Sequence, residues 1–141
     1  TEWVSMPSSH WKIVSNIDNS SMALENASDK GTPPVCLAGD KYWEDYQVTV
    51  DITIISGNEE YMGVAGIKVR VPEEDGNGGY GVNLYRNGRA EFKVDGSIKK
   101  IVNAPCEPGQ KARVKILVRG NNIQAFVNDQ KFYEYTDDKY S

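Results

Sequence analysis

The strongest constraint on the fold is an unbroken alternation of apolar and polar residues in the segment YQVTVDITI (46–54). Every second residue from Tyr46 to Ile54 is apolar, and the residues between them are polar. A repeat of two places successive side chains on opposite faces of an extended strand. The segment therefore predicts a β-strand with one face in the core and the other in water.

The same alternation recurs in YMGVAGIKVRV (61–71), YGVNLY (80–85) and RVKILV (113–118). In the first of these segments the pattern predicts that every second residue from Ala65 to Val71 points inward. Short turn sequences separate the segments, and no long stretch has helical spacing. We expect roughly ten or eleven short strands, a number and spacing typical of all-β sandwiches. The predicted fold is a two-sheet antiparallel β-sandwich of the jelly-roll type, in one domain covering residues 1–141.

Two turns are specified by their residues. The sequence RNGR predicts a two-residue hairpin turn with a positive φ at both Asn87 and Gly88. In a later turn Asn128 is followed by Asp129, and Asp tolerates positive φ better than most residues.

The composition of the chain excludes or disfavours several classes of function. A net charge of −4 disfavours the neutralisation of phosphates that nucleic-acid binding requires. No apolar run approaches the ~20 residues of a membrane span. Cys36 and Cys106 are interpreted either as two reduced thiols or as a disulfide, because the sequence does not place them in space. His10 is the only histidine, which excludes a metal site with several histidines.

Three segments in order resemble a known family. They are GDKYWEDYQVTVDI (39–52), VAGIKVRV (64–71) with GGYGVNLYRNG (78–88), and KARVKILVRGNNIQAFVNDQKFYEYTDDKYS (111–141). Together they resemble the concanavalin A-like and laminin G-like jelly rolls, and in particular carbohydrate-binding module family 66. The resemblance implies a non-catalytic module that recognises an oligo- or polysaccharide. It also implies a secreted or cell-surface location, within a larger glycoside hydrolase or cell-surface protein.

The end of the sequence departs from this family. The related domains continue past the closing Asp-x-x-Tyr into a further strand, whereas this sequence stops at Ser141. We therefore expect that the final strand is absent from this sequence. Either it belongs to another chain or fragment, or something else takes its place, since an unpaired edge would invite association. The alternative function is a laminin G-like adhesion or protein-interaction domain that a partner strand completes.

A set of polar and aromatic side chains is predicted to bind the sugar, because planar polar groups meet paired hydroxyls and aromatic rings cover sugar C–H faces. The candidates are Trp43, Asp51, Lys68, Arg70, Asn83, Tyr85 and Glu91, with Lys93 nearby. The alternative for each polar residue is an ordinary solvated face, with Arg70 paired to Asp51 across strands. For Trp43 the alternative is core packing.

Glycoside hydrolysis needs two carboxylates on either side of one sugar bond, and the sequence offers no convincing pair on one strand face. We therefore predict that the domain is not an enzyme. The resemblance implies a structural calcium ion near the termini, with Asp137 and Asp138 as its candidate ligands.

Overall fold

The computed structural model describes part of the chain. Complete residues are described over 42–55, 63–72, 77–103 and 109–140, and the backbone alone over 4–6, 11–15, 22–26 and 35–37. These residues contain twelve strands and no helix. None of their elements is therefore a helix long and apolar enough to cross a membrane.

The twelve strands are numbered in chain order. The first four are β1 (Val4–Met6), β2 (Trp11–Ser15), β3 (Met22–Asn26) and β4 (Val35–Leu37). The next four are β5 (Tyr46–Thr53), β6 (Val64–Val69), β7 (Tyr80–Tyr85) and β8 (Arg89–Val94). The last four are β9 (Ser97–Asn103), β10 (Lys111–Arg119), β11 (Asn122–Val127) and β12 (Gln130–Thr136).

The chain divides into two compact units. The first comprises residues 1–40 and 74–76, and in it β1 pairs with β4 and β2 pairs with β3. The second comprises residues 41–73 and 77–141 and contains two four-stranded antiparallel sheets. One, here called the β5 sheet, has the order β12-β11-β10-β5, and the other, the β7 sheet, has the order β6-β7-β8-β9.

The core of the second unit confirms the predicted alternation. Ile52 and Ile54 of the β5 segment are buried, and so are the inward residues of β7, Tyr80, Val82 and Leu84. Buried side chains of both sheets belong to one apolar cluster, which is how a β-sandwich forms its interior. Each large side chain in it contributes roughly 1.5 to 3 kcal/mol through removal from water. The predicted all-β sandwich is confirmed.

The turns confirm one prediction and correct another. Asp129 has a positive φ of 65°, as the tolerance of Asp for this region predicts, and Asn128 also has a positive φ, at 49°. Gly88 also has a positive φ, but Asn87 does not. The predicted two-residue turn is wrong, because β7 ends at Tyr85 and the Gly88 amide donates to the Tyr85 carbonyl at 3.0 Å. A three-residue loop with a left-handed final glycine forms instead.

The strands β1 to β4 lie before the long alternating segments of the sequence, which begin at Tyr46. The two interpretations of the cysteines, reduced thiols or a disulfide, depend on Cys106 and on the side chain of Cys36. Both lie outside the described residues.

Residues after β12 fasten this end of the chain to the turn between β8 and β9. The carboxylate of Asp95 in that turn accepts hydrogen bonds from Lys139 Nζ and the Tyr140 hydroxyl. The hydroxyl of the buried Tyr80 donates to Asp137 Oδ2 at 2.9 Å, and the Tyr80 and Tyr140 rings meet edge to face at 5.6 Å. We call this set of contacts the C-terminal clasp.

The clasp predicts loss of stability in acid. Hydrogen bonds from Lys139 and Tyr140 lower the pKa of Asp95. A carboxyl group whose pKa is lower in the folded state stabilises the fold above its unfolded pKa of about 3.9, and that contribution disappears as the pH falls through the folded value. We expect thermal melting at decreasing pH to show a falling melting temperature below about pH 4. Asp95→Asn should melt lower at pH 7 and lose less between pH 5 and pH 3, and equal losses in both proteins would contradict the assignment.

Candidate functional site

The outer face of the β7 sheet brings polar residues of neighbouring strands into two rows. In the first row Gly66 lies opposite Asn83, Asn83 opposite Glu91, and Glu91 opposite Ile101. In the second row Lys68 lies opposite Gly81, which lies opposite Lys93. Residues opposite one another in antiparallel strands share a face. The two rows are therefore adjacent on one surface.

Glu91 is the centre of this surface, and its burial is unusual for an outward-facing carboxylate. Its side chain has 0% exposure, although it lies on the face opposite to the core. The Tyr85 hydroxyl donates to Glu91 Oε2 at 2.8 Å. Arg89 Nη2 lies 2.7 Å from Oε1, and Lys93 Nζ lies 3.4 Å from Oε2. We call these four residues the Glu91 cluster.

The cluster is held by strand periodicity and by packing between its own side chains. Arg89, Glu91 and Lys93 alternate along β8, so all three project from the same face. The Arg89 guanidinium stacks on the Tyr85 ring, 4.6 Å from its centroid. Arg89 Nε is buried without a hydrogen-bond partner, although the Arg89 side chain as a whole is 37% exposed. The side chains of Tyr85, Arg89 and Lys93 thus cover the carboxylate, and the two cationic side chains stay partly exposed.

Two glycines keep the surface beside the cluster low. A Cβ atom at Gly66 would lie 2.2 Å from the Val82 carbonyl oxygen and 2.4 Å from Asn83 Oδ1. At Gly81 a Cβ atom would lie 3.1 Å from Lys68 Cγ, so the lysine stem leans over the glycine. A side chain at either position would collide with these neighbours, so glycine lets β6 and β7 approach closely on this face.

An apolar margin borders the charged rows. Ile98 and Ile101 of β9 are 49% and 50% exposed, and they lie opposite Lys93 and Glu91 respectively. Exposed aliphatic side chains next to charged groups form a surface on which a ligand can place both apolar and polar parts.

Asp51, one of the predicted binding residues, lies elsewhere. It is on the β5 sheet, where Arg113 Nε donates to its Oδ1 at 2.9 Å. This hydrogen bond lowers the pKa of Asp51. The considered pairing of Asp51 with Arg70 is therefore wrong, because Arg113 is its cross-strand neighbour. Asp51 and Arg113 line an open depression together with Lys111, Asn128 and Asp129.

Arg70 and Trp43 are also separate from the Glu91 cluster. The alternation predicted through Val71 ends with β6 at Val69, because Arg70 has a φ of 49°. The Arg70 amide donates to the Tyr46 hydroxyl and its Nη2 to the Glu44 carbonyl, both at 3.0 Å. Trp43 is 51% exposed, which excludes the core role that the sequence left open.

The comparisons with known proteins agree with this architecture. The family model described as the 3-keto-alpha-glucoside-1,2-lyase-like domain matches residues 1–141. The chain belongs to this family. A solved structure with the same fold is the carbohydrate binding module CBM66 from Bacillus subtilis, with a TM-score of 0.71 at 20% identity over 99% of this chain and 81% of that one. A search of curated proteins found no significant match.

The fold match confirms the jelly-roll resemblance of this 3-keto-alpha-glucoside-1,2-lyase-like domain. Four predicted binding residues come together on the outer face of its β7 sheet: Lys68, Asn83, Tyr85 and Glu91. The remaining three, Trp43, Asp51 and Arg70, do not join them. Arg89 was missed, although its position two residues before Glu91 on one strand was a usable signal.

The predicted calcium ligands of the lyase-like domain already have protein partners. Asp137 accepts hydrogen bonds from the Tyr80 hydroxyl and the Lys139 amide, and Asp138 accepts one from Asn121 Nδ2. Within the described residues no three Asp, Glu, His or Cys side chains are grouped around a common point. Calcium requires six to eight oxygen ligands, so this pair alone does not fit the ion.

Proposed function

We propose that the domain is a non-catalytic carbohydrate-binding module whose binding surface is the outer face of the β7 sheet. The observation that carries the proposal is the Glu91 cluster. A carboxylate buried on an outward face holds Arg89 and Lys93 in fixed positions while both remain partly exposed. Fixed donors on a rigid sheet lower the ordering cost of binding a polar ligand.

The donors and the apolar margin suit a saccharide. Arginine presents several N–H groups in one plane, which matches neighbouring hydroxyls or a carboxylate on a sugar. Asn83 adds an amide that both donates and accepts. Ile98 and Ile101 offer half-exposed aliphatic surface for the C–H groups of the ring. The Tyr85 ring, predicted to stack on sugar, instead supports Arg89 on one side.

The solved relative supports this proposal, since it is a carbohydrate-binding module. By the same likeness we propose that the domain acts outside the cell as part of a larger protein that processes or displays glycans. Neither comparison favours the alternative of an adhesion domain completed by a partner strand. The roles of Trp43, Asp51 and Arg70 in binding, and of calcium, stay predictions.

The family description raises a lyase activity as the competing proposal. Elimination from a sugar requires a base within hydrogen-bond reach of the abstracted proton. Glu91, the single carboxylate among the described outward residues of the β7 sheet, has 0% exposure and is paired with two cations. Its burial supports a structural role, so we expect no turnover of 3-keto-glucosides by the isolated domain. Release of the aglycone from a 3-keto-glucoside above the buffer rate would overturn the non-catalytic assignment.

A pair of arginine variants tests the location of the site. After a glycan array identifies a ligand, Arg89→Ala should weaken its binding about tenfold or more, because one charge-assisted contact and the fixed geometry are lost. Arg113→Ala is the matched control, since Arg113 is also paired with a carboxylate but lies on the β5 sheet. Calorimetric titration of both variants and the parent provides the measurement. Equal weakening in both variants, or none in Arg89→Ala, would refute this site.

A further inference from the structure

Trp43 is an exposed tryptophan at the edge of the sandwich. It lies three residues before β5, and it is 51% exposed. In the described part of the chain β5 is the last strand of its sheet and β6 is the first strand of the other, and the two lie against each other. A tryptophan left in water forfeits the free energy that burial of its large apolar ring would supply. Binding of a ligand recovers that free energy, which is why aromatic side chains serve as binding anchors.

The loop that carries Trp43 is fastened to both sheets. On one side Asp45 Oδ1 accepts a hydrogen bond at 2.7 Å from the amide of Gly120, which lies in the turn between β10 and β11 of the β5 sheet. On the other side the Glu44 carbonyl accepts a hydrogen bond at 3.0 Å from Arg70 Nη2, at the end of β6 of the β7 sheet. The residues directly after Trp43 are thus held from two directions.

The Trp43 ring packs on a second aromatic ring that belongs to the folded interior. Its centroid lies 5.9 Å from that of Tyr46, with the two planes inclined at 57°. Tyr46 packs against the core, and its hydroxyl accepts the amide of Arg70 at 3.0 Å. The indole therefore has a fixed position before any ligand arrives, which lowers the ordering cost of binding.

Arg70 maintains this arrangement at a cost to the fold. Its φ of 49° lies in the left-handed region, where a residue with a side chain is strained and glycine is not. Its Nη1 is buried and has no hydrogen-bond partner in the described part of the chain. Strained residues persist where their surroundings impose them, and they concentrate at functional sites. Since Nη2 is bonded to the Glu44 carbonyl and Nη1 is buried, the guanidinium serves the loop and is not presented to a ligand.

We propose that Trp43 forms a second sugar-binding site of this domain, separate from the Glu91 cluster, and that Arg70 positions it without touching the sugar. The inference rests on the proposed carbohydrate-binding function and adds a second point of attachment. The exposed indole covers the C–H groups of a sugar ring, as aromatic side chains do. Glu44, the next residue, is also exposed, and its carboxylate offers acceptors for sugar hydroxyls. Two sites on one domain hold a glycan surface by avidity, so each contact can be modest.

The test titrates the labelled full chain and its variants on an array printed with neutral and acidic oligosaccharides. Trp43→Ala should weaken the apparent binding at least about tenfold, because one of two points of attachment is lost. Trp43→Phe keeps an aromatic ring and should recover part of that loss. Ile55→Ala is the matched control, since Ile55 is 59% exposed just beyond the opposite end of β5. This control should bind as the parent does.

Arg70→Gly distinguishes positioning from contact with the sugar. Glycine adopts a φ of 49° without strain and keeps the amide that donates to Tyr46. The relief of strain offsets the greater freedom of glycine in the unfolded chain, so the melting temperature should stay near that of the parent. The apparent binding should nevertheless weaken about threefold or more, because the Glu44 carbonyl loses its donor and the loop its fixed position. In the Trp43→Ala background the same substitution should cause no further loss of binding.

The outcomes distinguish the second site from the proposed function. If Trp43→Ala binds as tightly as the parent while Arg89→Ala does not, the second site is refuted and carbohydrate binding stands. An equal loss in Ile55→Ala also refutes it, since that result indicates apolar adsorption to the array. Full binding by Arg70→Gly, or a further loss in the Trp43→Ala background, contradicts the positioning role of Arg70. Binding of the parent to no glycan on the array defeats the proposed function, and the second site with it.

Discussion

Replacing Glu91 with alanine is expected to lower the free energy of unfolding by roughly 3 kcal/mol and to weaken ligand binding together with it. The carboxylate is fully buried and has three partners, so its loss leaves the Tyr85 hydroxyl without an acceptor and brings Arg89 and Lys93 together uncompensated. Both cations reach water, which keeps the expected loss at the low end of the range for broken buried pairs.

The matched control is Glu134→Ala. Glu134 pairs with Lys131 at 2.9 Å, but its side chain is 44% exposed, and such surface pairs contribute little to stability because water screens them. Urea denaturation of the two variants measures the difference. Glu91→Gln keeps the shape of the side chain and removes its charge. The free energy of unfolding of this variant therefore separates the effect of the lost ion pairs from the effect of the lost volume. If Glu91→Ala loses no more than Glu134→Ala, the carboxylate is not shielded as the structure describes.

Strand positions and faces were predictable from the sequence because a sandwich buries one side of each strand. Alternation correctly assigned the inward residues of β7 and of the β5 segment. It carries no information about lateral neighbours, which is why Asp51 was grouped with residues of the other sheet. The partner of β5 is β10, whose Arg113 is 62 residues from Asp51 in sequence.

The local backbone at Arg70 was beyond sequence reasoning. Its neighbours continue a regular alternation, yet its φ of 49° lies in a region that few non-glycine residues adopt. The Tyr46 hydroxyl, which accepts the Arg70 amide, comes from a strand 24 residues earlier. A tertiary contact of this kind overrides local pattern, and the strand consequently ends before the predicted inward Val71.

The candidate site was predictable in part. The sequence identified Glu91 as a polar residue on an outward face, and the periodicity of β8 places Arg89 and Lys93 beside it. Its complete burial was not predictable, because it depends on the folding of Tyr85 and Arg89 over the carboxylate. Sequence reasoning therefore treated as a ligand contact a carboxylate whose partners in the structure are Tyr85, Arg89 and Lys93.

Gly79→Ala is expected to be the other strongly destabilising change. Gly96→Ala is its matched control. The two glycines have nearly equal φ angles, 81° and 80°, so both substitutions incur the same strain of about 1 to 2 kcal/mol for a left-handed residue with a side chain. Their surroundings differ. A Cβ atom at Gly96 has no neighbour within 4 Å, whereas at Gly79 it lies 2.6 Å from the Val69 carbonyl oxygen and 3.0 Å from that of Arg70.

The contact at Gly79 adds to the backbone strain because carbonyl groups of a neighbouring strand end do not move aside as flexible side chains do. Overpacking of this kind costs about 1 to 3 kcal/mol, so we expect Gly79→Ala to lose roughly 3 kcal/mol in all. The melting temperature should fall by roughly 10 °C for Gly79→Ala and by a third to a half as much for Gly96→Ala. Gly79 also exchanges hydrogen bonds with Asp95, so its displacement loosens the C-terminal clasp. Equal melting temperatures in the two variants would show that β6 and β7 do not approach as closely at Gly79 as described.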